Sequence, residues 1–124
     1  MKIETLSDVR KIIQEAGFFE AVISSVSDWD EALDERDNEK FDKAWVDCFN
    51  ELNALTCGDM ADEKIVKDLR EFSFKKVFPL VRNSEIASYI SDDIGLVADA
   101  VSKANFKGWV AELFEAYLSG EFPR

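Results

Sequence analysis

The chain has no histidine. That removes the usual general base near neutral pH and the commonest side-chain metal ligand. Within one chain it also excludes Ser-His and Cys-His nucleophile systems. Only two cysteines occur, Cys48 and Cys57, nine positions apart, and without histidine they make no zinc site. The five glycines (Gly17, Gly58, Gly95, Gly108, Gly120) are isolated, so there is no Gly-rich phosphate loop. Two prolines and no Asn-Gly or Asp-Gly pair leave little signal for β-hairpins. Apolar runs such as 77–81 fall far short of the ~20 residues of a membrane helix. Residues 1–10 carry one early lysine but no apolar core, unlike a secretory signal. The expectation is a cytoplasmic protein with reduced cysteines.

What is present is bulk and negative charge. The 124 residues suit a single helical domain spanning 1–124, with ten Phe and three Trp to fill one core. The net charge is -11, and it is uneven. Residues 1–62 hold 16 acidic and 6 basic side chains, whereas 63–124 hold 10 and 9. The stretch 28–39 has seven carboxylates, and Arg36 is its one basic residue. Concentrated charge of one sign destabilises a small fold by self-repulsion and favours a partner of opposite sign. A binder of nucleic-acid phosphate needs the reverse balance. The segment 64–82 is locally basic, with six Lys or Arg against Asp68 and Glu71.

Helical periodicity dominates the chain, which predicts an all-α bundle of six to eight helices. Ser7 is the expected cap of a first helix over 8–16, with Val9, Ile12, Ile13 and Ala16 on one face and Gly17 ending it. A short helix over 18–26 follows, then one capped by Ser27. Asn38 caps a longer helix through Leu55, where Phe41, Ala44, Trp45, Cys48, Phe49, Leu52 and Leu55 form the clearest stripe. On that stripe Cys48 reads as a small buried hydrophobe. Residues 56–59 break it. Asp62 opens the basic helix, with Ile65, Val66, Leu69, Phe72 and the Lys76 stem inward. Pro79 should end it near Phe78. Ser84 caps the next helix, Ser91-Asp92-Asp93 should bend or restart it, and Asn105 caps the last, which Gly120 stops.

The acidic run invites a calcium test. With Asp28 first in the loop, Asp30, Asp34 and Glu39 fall at ligand positions, but Leu33 stands where the sharp turn needs glycine. Paired carboxylates can do glycosidase chemistry, yet adjacent Asp92 and Asp93 diverge by about 100° on a helix and cannot flank one bond. They also read as favourable charge in a first helical turn. Trp45 and Trp109 sit in apolar stripes and read as core. Trp29 is flanked by carboxylates; core packing is the first reading, and an anchor for a cation the second.

The segments Glu85-Ile-Ala-Ser-Tyr-Ile-Ser-Asp-Asp-Ile94 and Tyr117-Leu-Ser-Gly-Glu-Phe-Pro123 resemble those of small all-helical bacterial immunity proteins of the contact-dependent growth inhibition type. The resemblance implies an inhibitor that neutralises a toxin domain; the acidity without catalytic equipment adds the expectation of a non-enzyme, without cofactor or metal, partnered by a basic, nuclease toxin domain. From the charge pattern alone, Asp28, Trp29, Asp30, Glu31, Asp34, Glu35 and Asp37 are the expected contacts, with Asp92 and Asp93 in second place. An acidic adaptor, regulator or nucleic-acid mimic binding another basic protein is the alternative. An enzyme using carboxylates alone ranks third.

Overall fold

The computed structural model describes residues 3–55 and 60–124, Met60 by its helical backbone alone. Among the described residues there are seven helices and no strand: α1 Leu6–Ile13, α2 Phe18–Ser24, α3 Trp29–Arg36, α4 Glu39–Asn53, α5 Met60–Val81, α6 Ser84–Ser102 and α7 Trp109–Leu118. This is the all-α bundle that the periodicity predicts.

Helix α6 is the centre, with twelve of its nineteen residues buried. Ile86, Ile90, Ile94, Leu96, Val97 and Val101 are all buried, and apolar residues spread over this much of a helix require neighbours on several sides. Helix α5, joined to it by Arg82 and Asn83, lies along it. The two approach closely at Gly95, where a Cβ would collide with the Arg70 stem. Helices α1, α4 and α7 also pack on α6, and α2 fills between α1, α5 and α7. Helix α3 is the outlier, since α4 is its one close helical neighbour among the described residues.

Several helix ends differ from the expectation. Thr5, not Ser7, caps α1: its Oγ1 accepts from the Asp8 N–H at 3.2 Å, while Asp8 accepts from the Thr5 N–H at 3.0 Å. This reciprocal box outcompetes a lone serine two residues on, and the helix then ends at Ile13, leaving Ala16 exposed. Asp28, not Ser27, caps α3, and Asn83, not Ser84, caps α6. Asn38 caps α4 as expected, accepting from the Phe41 N–H at 3.1 Å. Helix α5 starts at Met60 and runs through Pro79 to Val81. A proline in the last turn forfeits one hydrogen bond, and buried Leu69, Ser73 and Val77 secure the rest of the helix. Ile65, Val66 and Phe72 are half-buried, whereas Lys76 is exposed with its ammonium 5.9 Å from the Phe72 ring. Asn105 does not cap α7; its N–H closes α6 on the Ala100 carbonyl, and α7 begins after Gly108. Cys57 and the 56–59 break lie outside the described residues. No helix among those described is long and apolar enough to cross a membrane.

The α4 stripe is only partly interior. Leu52 is buried; Phe41, Ala44, Trp45 and Cys48 are half-buried; Phe49 and Leu55 are exposed. Burial raises the Cys48 thiol pKa, aided by the charges of Glu51 and Asp99, which opposes thiolate chemistry.

Candidate functional site

The acidic run folds as helix α3, not as a metal loop, and the helix divides cleanly in two. Ala32 and Arg36 are buried, and Trp29 and Leu33 half-buried, at spacings of three and four. Asp30, Glu31, Asp34 and Glu35 occupy the opposite, exposed face. Asp28 accepts from the Glu31 N–H at the start, and exposed Asp37 follows the end. Trp29 packs edge-to-face on Phe122, centroids 5.0 Å apart, so its ring belongs to the margin of the core.

Arg36 fastens this helix to the centre of the molecule. Its guanidinium forks onto Asp93 of α6, Nη1 to Oδ2 at 2.8 Å and Nη2 to Oδ1 at 2.9 Å. Trp45 Nε1 donates to Asp93 Oδ1 at 2.9 Å, and the Tyr117 hydroxyl donates to Oδ2 at 2.5 Å. The Asp93 carboxylate is 0% exposed and receives four donors from three helices. The rings of Phe41, Phe122 and Tyr89 surround the guanidinium at 4.4, 5.0 and 5.2 Å. Burial pulls the Arg36 pKa down, but the attraction and hydrogen bonds of Asp93 outweigh it and the net shift is upward. The Tyr117 pKa rises well above its usual value, first through burial and then through the Asp93 charge.

This removes Asp93 from the surface. It is not a first-turn residue of a restarted helix, because α6 runs unbroken through 91–93 and turns this carboxylate inward. It has no face to offer a partner. Asp92 stays half-exposed but is paired with Arg70 Nη2 at 2.6 Å. Glu35 pairs with Arg124 Nε at 3.1 Å, and Asp37 accepts from the Tyr89 hydroxyl at 2.8 Å. Asp30, Glu31 and Asp34 bear no ion pair among the described residues. Of the nine candidate contacts, these three carboxylates are the most available.

Two features beyond the C-terminal end of α3 were not legible in the sequence. One is a cleft of about 130 Å³ between Asp37, Phe41, Asp42, Trp45, Tyr89 and Asp92, floored by Arg36. The other is a shallower groove of about 530 Å³ along α4, α5 and α6, which shares Trp45 and Asp92 with the cleft and includes Phe49. Phe49 is 44% exposed and Val46 42%, with Phe49 stacked on Trp45 at 5.7 Å. Arg36 itself was legible as the fourth member of the inward set Trp29, Ala32, Leu33. Its charge hid that membership. No group of three or more candidate metal ligands occurs among the described residues.

Among curated proteins nothing matches the chain. A family model, described as immunity protein PIM1, matches residues 8–124. That match spans nearly the whole chain, and the chain belongs to the immunity protein PIM1 family.

Proposed function

We propose that this protein neutralises a basic, nuclease-type toxin domain, and that the outer face of α3 is where the toxin lands. Membership of an immunity family, a non-enzymatic inhibitor class, supplies the coarse role of toxin neutralisation. The observation that carries the finer reading is the exposed row Asp30, Glu31 and Asp34, without internal cations, on a helix pinned from behind by Arg36. A nuclease cleft must attract phosphate and is therefore positive, and a rigid carboxylate row is its complement. Asp28, Trp29, Glu35 and Asp37 flank the row and extend the contact. Asp92 shares a cleft with Asp37 at the end of α3.

The test is the double reversal Glu31→Lys with Asp34→Lys. Both side chains are exposed, so folding should survive. With the cognate toxin, association should slow by about ten-fold or more at low salt, and its salt dependence should flatten. Unchanged association kinetics would remove α3 from the interface.

A further inference from the structure

The small cleft beside α3 has a composition that the acidic row lacks. Three aromatic side chains, Phe41, Trp45 and Tyr89, and three carboxylates, Asp37, Asp42 and Asp92, converge on about 130 Å³. Its floor is Arg36, whose charge Asp93 cancels through the paired bonds described above. Of the rim carboxylates, Asp92 is paired with Arg70. Asp37 keeps one oxygen beyond its bond from Tyr89. Asp42 is exposed and has no ion pair among the described residues. The cleft therefore keeps a net negative rim over a neutral floor.

Aromatic rings attract cations through their quadrupole, and Trp and Tyr do so most strongly. Carboxylates beside them add charge and fork geometry. A guanidinium satisfies both at once, because it is planar, stacks on rings and bonds carboxylates in pairs. The fold already makes this arrangement internally, since Arg36 lies against Phe41 and Tyr89 on the same rings. The volume has room for the head of one side chain and not for a helix. Beside it, exposed Phe49 offers apolar surface continuous with Trp45. Desolvated aromatic pockets next to apolar surface are where interface energy concentrates.

We infer that this cleft is the anchor pocket for one arginine side chain of the toxin, gripped by Asp37 and Asp42 between Phe41, Trp45 and Tyr89. The inference rests on the reading of the protein as a binder of a basic toxin, and it deepens that reading. The α3 row steers the partner; this pocket holds it.

The probe is Nα-acetyl-arginine amide, with the citrulline analogue as the neutral isostere. The folded full chain is titrated with each while the Trp45 indole N–H signal is followed by NMR. Arginine should move that signal saturably, and citrulline should not. Asp42→Asn should weaken the arginine response about five-fold, the scale of one exposed charge contact. Equal shifts with citrulline, or an arginine response untouched by Asp42→Asn, would overturn the pocket. Because the probe is a small molecule, the result is independent of toxin capture. If the α3 reversals slow toxin association while arginine fails to bind, the acidic-face reading stands and the pocket falls.

Discussion

Asp93 is the residue on which the fold's polar interior turns. A carboxylate at 0% exposure is tolerated because all its acceptor capacity is used by Arg36, Trp45 and Tyr117. Removing one charge strands the other in a dry site, which typically costs about 3–5 kcal/mol. Arg36→Met and Asp93→Asn should each lower stability by that order in denaturant titrations. The double variant strands no charge, so its loss should be clearly smaller than the sum of the two. Strict additivity would mean that the pair does not act as a unit. Tyrosine ionisation gives a second test. The chain has two tyrosines, and both are held protonated. Tyr89 is pushed up to about 12, chiefly by its bond to Asp37, and Tyr117 is held well above its usual value by burial and the Asp93 charge. A raised folded pKa favours the native state fully below the unfolded value of 10.0, and that advantage is lost as pH climbs beyond it. Tyrosinate absorbance should thus be absent from the native protein at pH 10 and half-developed in the unfolded chain. Stability should fall above that pH, and less steeply in Tyr117→Phe. A native titration midpoint near 10 would contradict the buried network.

At the scale of elements, the chain shows the same helix ending built twice with different residues. After α7, Gly120 takes φ +74, its N–H bonds the Tyr117 carbonyl, and the Glu121 N–H reaches back to Ala116 at 2.9 Å. After α6, Ala104 takes φ +54, bonding Val101, while Asn105 reaches Ala100 at 2.8 Å. Both are Schellman closures, and only one has the glycine that the left-handed position favours. Ala104→Gly should therefore raise stability by about 1 kcal/mol, and Gly120→Ala should lower it by a similar amount. Thermal melts of the two variants check this; a lower midpoint for Ala104→Gly would sink the argument. Gly120 announced its helix end in the sequence, whereas Ala104 gave no such signal. That contrast describes much of what was legible. Stripes such as Val9, Ile12 and Ile13, and caps with local bonds such as Asn38, are written in neighbouring residues. The unbroken course of α6 is not. Asp93 reads as a helix restart because its partners lie 57, 48 and 24 positions away. The cleft was hidden for the same reason, since α4 and the middle of α6 come together only through tertiary packing.

For the whole molecule, the acidity that suggests binding also weakens the free protein. Asp30 with Asp34, and Glu31 with Glu35, are like charges one turn apart on α3, each pair costing a few tenths of a kcal/mol. Arg124 partly relieves Glu35, whereas Asp30, Glu31 and Asp34 have no paired cation among the described residues. A basic partner would relieve them on contact, so the repulsion stored in the free state favours the complex. Stability and binding should then move in opposite directions when one of these charges is removed. Asp34→Asn keeps the shape and the exposed position and deletes one repulsion. It should raise the thermal midpoint of the free protein slightly, and added monovalent salt should reduce that gain by screening. The same substitution should slow association with the toxin at low salt and leave dissociation nearly unchanged, as expected of a steering charge at the rim. If Asp34→Asn stabilised the free chain without slowing association, the charge on α3 would be a cost with no return at the interface, and the binding face would have to be sought at the Trp45–Phe49 groove instead.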